Sequence, residues 1–274
     1  MAELSHARIL MFGAHPDDAE VFAAGLLIRH CQRGSTVRII SVTDGRSGHH
    51  AIEPSRLVQI RRQEAERAGA LIGAEYLTWD FPDGSLQPDL EVRSAIIREA
   101  RRFQPDLILT HRPNDYHPDH RAVGQAVQDA SYMMTVPHVC EDVPAMRRDP
   151  VVAYMCDLFT RPNRLRPDIL LDVGAEFETA VRMAACHESQ FFQWLPYHAG
   201  QLDDVPSEEP TRTNWLHDWL LKWMAPRVEH FREALGELKN CANPLETIEV
   251  YEVSEYASKL DANAKAKLFP GFMT

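Results

Sequence analysis

The residues best able to do chemistry fall in two clusters. "AHPDD" places His15, Asp17 and Asp18 directly behind an apolar run, and "HPDH" places His117, Asp119 and His120 at the end of the stretch "THRPNDYHPDH". Both offer imidazole and carboxylate, the N and O donors of a hydrolytic zinc site, which needs three protein ligands and an open position for water. His15 and Asp18 are three apart across a turn, so both can point at one ion. Asp17, between them, is directed elsewhere but stays within reach of an activated water, which makes it the natural general base. His117 and His120 are also three apart, at a helix opening set by Pro118. If His120 completes the ligand set, His117 lies beside it, placed to hydrogen-bond the oxyanion that develops when water attacks a carbonyl. Asp119 would then hold the His117 tautomer and keep that ring protonated.

These clusters are far apart in the chain, so a scaffold must bring them together. "ARILMFGA" reads as a buried strand and "DDAEVFAAGLLIRHCQRG" as a helix stopped by Gly34. The rhythm continues through "TVRIISVTDG", "SRLVQIRRQEAERAGALIG", "AEYLTWDFPDG", "DLEVRSAIIREARRFQ", "PDLILTH" and "PDHRAVGQAVQDASYMM". Such alternation predicts an α/β, Rossmann-like fold, a mostly parallel sheet with helices on both faces and right-handed crossovers. In open sheets of this kind ligands sit beyond the carboxyl ends of the strands, where both clusters fall.

After Met134 the rhythm loosens. "VVAYMCDLF", "DILLDVG" and "TIEVYEV" read as strands, "AEFETAVRMAACHESQFFQWL" as a helix, and "WLHDWLLKWMAPRVEHFREALGELK" as a helix broken or kinked at Pro226. The tail from Ser254 reads as weakly ordered apart from its last apolar residues. The expected organisation is a core over 1–200 with an extension over 201–274 packed on it, one domain overall.

With 274 residues and 45% apolar composition, the chain can bury a sizeable core. A net charge of −11 without a basic cluster argues against nucleic-acid partners. No run approaches the ~18 apolar residues of a membrane span, and the start lacks a signal-peptide pattern, so a cytoplasmic protein is expected. The five cysteines, Cys31, Cys140, Cys156, Cys186 and Cys241, are odd in number and form no CxxC, which disfavours a disulfide framework and a thiolate zinc site. A nucleotide-binding module is disfavoured too. The first turn reads "GAHPDDAE" in place of GxGxxG, and two carboxylates at a helix start would repel a phosphate.

"AHPDD" after the first strand, together with "HPDH" after a later one, resembles the PIG-L / LmbE-like family of zinc-dependent N-deacetylases. The resemblance implies removal of an acetyl group from an N-acetylglucosamine-type amino sugar or conjugate. It implies His15, Asp18 and His120 as ligands of one Zn²⁺ per chain, Asp17 as base and His117 as oxyanion partner. Fe²⁺, Co²⁺ or Mn²⁺ would suit the same ligand set. "RRQEAERAGALIGAE" is similar to the family's R-x-x-E helix and nominates Arg61 as a substrate contact; "FPDG" is similar to its Asp-Gly turn and nominates Asp83; "HESQ" is similar to its H-x-S-Q element. The similarity spans 8–190. The family's lysine before H-x-S-Q is absent, the preceding helix offering only Arg182, so the alternative is a zinc amidase for another N-acyl substrate such as a sugar-thiol conjugate.

Two weaker features border this reading. "TDGRSGHH" follows the second strand and is either a mobile loop carrying Arg46, His49 or His50 to a small N-acetylated substrate or a plain solvated loop. Trp215, Trp219 and Trp223 share one helical stripe, expected mainly as core, with an aromatic wall or a homo-oligomer interface as the alternatives.

Overall fold

The computed structural model describes residues 6–238 and 245–274. Strand β1 (Arg8–Gly13) leads into helices α1 (Asp18–Phe22) and α2 (Ala24–Gln32), then β2 (Thr36–Thr43), α3 (Pro54–Ile72), β3 (Glu75–Phe81), α4 (Leu90–Phe103), β4 (Leu107–Thr110) and α5 (Pro118–Met133). Next come β5 (Val151–Met155), β6 (Ile169–Asp172), α6 (Gly174–Cys186), a π-helical turn (Gln190–Trp194) and α7 (Leu195–His198). The chain closes with α8 (Thr211–His230), α9 (Arg232–Gly236), β7 (Ile248–Val253) and α10 (Ala262–Leu268).

The strands form one seven-stranded sheet in the order β3-β2-β1-β4-β5-β7-β6. The first five are parallel, as the alternation predicts, while β7 runs antiparallel to both β5 and β6. Strand β1 is buried on both faces. Ile9 and Met11 join the core on one side, Leu10 and Phe12 that on the other, which is why the strand reads as a continuous apolar run. The strand order reverses between β1 and β4, and the loops that follow these two strands carry the two chemical clusters.

Local signals set several boundaries. Asp89 caps α4 by accepting from the N–H groups of Glu91 and Val92 at 2.9 and 3.0 Å. Gly73 closes α3 in the left-handed conformation, φ 79. Four expectations need correction. The helix after β1 is split at Ala23, because the buried Glu249 carboxylate of β7 accepts from Gly25 N–H at 2.6 Å and Leu26 N–H at 3.0 Å and so starts a second helix. The helix expected through "HESQ" is interrupted at His187, where Ser189 N–H bonds to Glu64 of α3 at 2.8 Å, and helical backbone resumes at Glu188 through the π-helical turn into α7. Helix α8 runs unbroken through Pro226 to His230; Lys222, whose carbonyl loses its donor there, is exposed. The C-terminal tail is built into the fold, with α10 burying Leu268 and with Phe269 fully buried behind it.

Cys31, Cys140, Cys156 and Cys186 are free thiols, and Cys241 and the last residue assigned to the tryptophan helix, Lys239, lie outside the described residues. Among the described residues no helix is long and apolar enough to cross a membrane.

Candidate metal centre

The loop after β1 and the start of α5 bring His15, Asp18 and His120 together. His15 Nδ1 lies 3.3 Å from His120 Nε2, His120 Nε2 lies 3.3 Å from Asp18 Oδ1, and His15 Nδ1 lies 3.8 Å from Asp18 Oδ2. A tetrahedral ion bound at zinc–ligand distances of about 2.0–2.2 Å holds its ligands about 3.3–3.6 Å apart; the His15–His120 and His120–Asp18 spacings match this, while His15 approaches the other Asp18 oxygen at the longer 3.8 Å.

Each imidazole turns its other nitrogen to a carboxylate, the arrangement that orients metal-binding histidines. His15 Nε2 lies 3.2 Å from Asp83 and 3.4 Å from Asp119, and His120 Nδ1 lies 3.1 Å from Asp115. Asp18 is fixed by His15 N–H at 2.7 Å and lies 2.9 Å from His111 Nε2. Among the described residues three groupings of donors lie close enough to share an ion: His15, His117 and His120; Asp18, His111 and His120; and His15, Asp83 and Asp119. His111 is stacked on His120 with centroids 3.8 Å apart, and its Nε2 also accepts from Ala14 N–H at 3.2 Å, which ties it to the backbone of the loop after β1.

The charges point the same way. Burial would pull the His15 imidazole down, yet Asp119, Asp83 and Asp18 outweigh it and hold it at about 10; for His120 burial is likewise overcome, chiefly by Asp18 and Asp115, at about 9. Four carboxylates, Asp18, Asp83, Asp115 and Asp119, surround the two imidazoles, an excess of negative charge that a divalent cation would offset. Asp115→Asn should weaken metal affinity about 10- to 100-fold, measured by competition with a chelator; an unchanged affinity would remove Asp115 from this support.

Asp17 stands next to this cluster. Its backbone is held at φ 138, a conformation that side chains rarely adopt and that costs on the order of 1–3 kcal/mol. Its N–H donates to the Tyr76 hydroxyl at 3.1 Å, and the Arg61 guanidinium donates to Pro16 O at 2.6 Å while lying 3.0 Å from Asp17 Oδ2. Burial pushes the Asp17 carboxyl up to about 6, against the downward pull of Arg61. That places it near neutrality, where a general base works best.

Arg61 itself is only 2% exposed, with its remaining contact to Gly45 O at 3.2 Å. The guanidinium expected as a substrate contact is turned to Pro16 O, Gly45 O and the Asp17 carboxylate, with its Nε buried and unpartnered. Gly45 is required here. At φ 69 it has no Cβ, and one would lie 2.7 Å from the guanidinium.

Asp83 is likewise drawn inward, its Oδ1 to His15 and its Oδ2 to Ser47 N–H at 3.0 Å, in place of the expected substrate contact. The expected Asp119–His117 side-chain pair does not form. The Asp119 carboxylate accepts from Gly84 N–H at 2.6 Å and Leu86 N–H at 3.2 Å, and it is the Asp119 backbone N–H that bonds His117 Nδ1, at 3.2 Å, capping α5. This leaves the His117 proton on Nε2. Burial, with His15 and His120 nearby, lowers the His117 pKa, so the ring is neutral instead of held protonated.

His111 and Asp115 were missed in reading the sequence, although His111 directly follows a fully buried strand and both stand inside "THRPNDYHPDH". The R-x-x-E helix and the H-x-S-Q element are joined. Glu64 of the R-x-x-E helix accepts from Ser189 N–H and Oγ–H at 2.8 and 2.6 Å, Gln190 Nε2 donates to Gly48 O at 3.1 Å, and His187 Nε2 lies 3.2 Å from Glu20. With Ser47 bonded to Asp83 and Arg46 paired to Asp44, the loop expected to be mobile or merely solvated is tied down along its length.

Residues 10–131 match the profile of the family described as "PIG-L: GlcNAc-PI de-N-acetylase". The chain is 25% identical over 237 residues to a probable N-acetyl-alpha-D-glucosaminyl L-malate deacetylase 2 of Bacillus subtilis, covering 78% of this chain and 97% of the relative. It is 23% identical over 198 residues to a 4-oxalmesaconate hydratase of Pseudomonas putida, covering 69% and 76%. The fold is shared with N,N'-diacetylchitobiose deacetylase from Pyrococcus horikoshii at a TM-score of 0.69 and 18% identity, covering 93% of this chain and 86% of that one.

Proposed function

Residues 10–131 are a PIG-L family domain, and from that premise we propose that the protein is a zinc-dependent amidohydrolase that deacetylates an N-acetylglucosamine-type amino sugar or conjugate. The observation that carries this reading is the Asp17 carboxylate, held by Arg61 at 3.0 Å beside a cluster in which His120 Nε2 lies 3.3 Å from both His15 Nδ1 and Asp18 Oδ1. His15, Asp18 and His120 would hold the metal, which when bound supplies an acidified water and a polarised amide carbonyl.

Asp17 takes the proton of the attacking water as the water oxygen bonds to the acetyl carbon. It returns that proton to the nitrogen as the C–N bond breaks, giving acetate and a primary amine. Arg61 keeps the carboxylate aimed throughout this exchange. His117 presents its Nε2–H to the oxyanion; its Nδ1 is already engaged by the start of α5, so the ring is preorganised.

The test is release of primary amine from a panel of N-acetylated amino sugars and their glycosides by zinc-loaded enzyme. Release from at least one member is expected; no release with one zinc bound per chain would overturn the deacetylase. The hydratase among the relatives supports a second reading. There Asp17 moves a proton while water adds across a carbon–carbon double bond, and loss of enoate absorbance without amine release would identify it.

A further inference from the structure

The buried stripe of α8 is Leu216, Leu220 and Met224. Trp215, Trp219 and Trp223 form a separate, adjacent stripe, their rings stacked in sequence with centroids 6.2 Å apart. The inner two are partly covered, Trp215 tilting against Phe192 and Trp219 donating its indole N–H to Gln201 at 3.2 Å. Trp223 remains 46% exposed, so the expected core role does not describe it.

This open end of the ladder borders the metal centre. Phe22, at the end of α1, meets His120 edge-on at 5.9 Å and His111 at 5.4 Å, and its other side meets Trp223 at 6.3 Å. Arg227 is buried, donates to Val21 O at 2.9 Å and lies over the Phe22 and Trp223 rings at 5.7 and 6.0 Å from their centroids, fixing α8 to α1. The centre is therefore two-sided. Asp83 and Asp119 stand at His15 Nε2, and on the His120 side Phe22 packs between the histidine rings and Trp223, whose own ring is open to solvent.

We propose that Trp223, backed by Phe22, is a ring-binding subsite that stacks on the apolar face of a ring carried by the substrate's amine half. The assignment to the amine half rests on the deacetylase reading, because an acetyl group carries no ring; the ring binding itself does not. A fixed indole with an apolar ring behind it offers stacking area at little entropic expense.

Calorimetric titration of the zinc-loaded protein with the methyl and phenyl glycosides of glucosamine tests this, alongside amine release from their acetylated forms. Trp223→Ala should weaken the phenyl glycoside about 3- to 10-fold, and Trp223→Phe should recover most of the loss. A matching loss for the methyl glycoside places the sugar ring on Trp223, and no loss for it places the aglycone there; either result supports the subsite. Affinities independent of Trp223, or no binding of either glycoside to the wild type, overturn it. So does a change of oligomeric state in Trp223→Ala with both affinities intact, which would make the face an interface between copies. Trp223-dependent binding without amine release keeps the subsite and rejects the deacetylase; amine release with a KM indifferent to Trp223 does the reverse.

Discussion

Asp17→Asn is expected to bind one metal ion per chain and to turn over about 10²- to 10⁴-fold more slowly than the wild type. The carboxamide keeps the shape of the side chain and an oxygen for the Arg61 guanidinium, 3.0 Å away, but it cannot take a proton. Asn has the same branching and size as Asp, so the exchange adds no steric demand to the strained turn at φ 138. Asp18 keeps its own supports, His15 N–H and His111, and the ligand set is undisturbed. Metal content and kcat on the same preparation decide the matter. Near-normal turnover with metal bound would exclude Asp17 as the base, and loss of metal would make it part of the ligand set.

His120→Ala should abolish metal binding at micromolar ion and reduce turnover to background. The change removes one of the three proposed ligands and takes away the imidazole that lies between the Asp18 and Asp115 carboxylates and holds both below their usual range. Because an ion that binds only the folded state stabilises it, the wild type at a metal concentration of about 100 times Kd should gain about 2.7 kcal/mol, or roughly 5–10 °C in Tm. The variant should show no such gain. A melting curve that still rises with added Zn²⁺ to the wild-type extent would move the ion to another set of donors, with Asp18 and His111 the first to examine.

The sequence by itself determined what depends on near neighbours in the chain. Continuous apolar runs predict buried parallel strands, and the three-residue spacing within "HPDD" and "HPDH" predicts which side chains can share an ion, because a strand-to-helix turn or a first helical turn fixes their relative directions. Five of the seven strands follow the expected parallel order. The tertiary structure alone decided the partner of each remaining charge. Arg61 reads as a substrate contact until packing encloses it against Pro16, Gly45 and Asp17; Asp83 and Asp119 read as groups near substrate and tautomer holder until the sheet brings them behind His15. Periodicity likewise shows that α8 has an aromatic stripe, but the stripe of Leu216, Leu220 and Met224 lies only one residue, about 100°, around the same helix. Which of the two is covered depends on where α1 and α6 lie, and that is settled by packing between elements far apart in the chain.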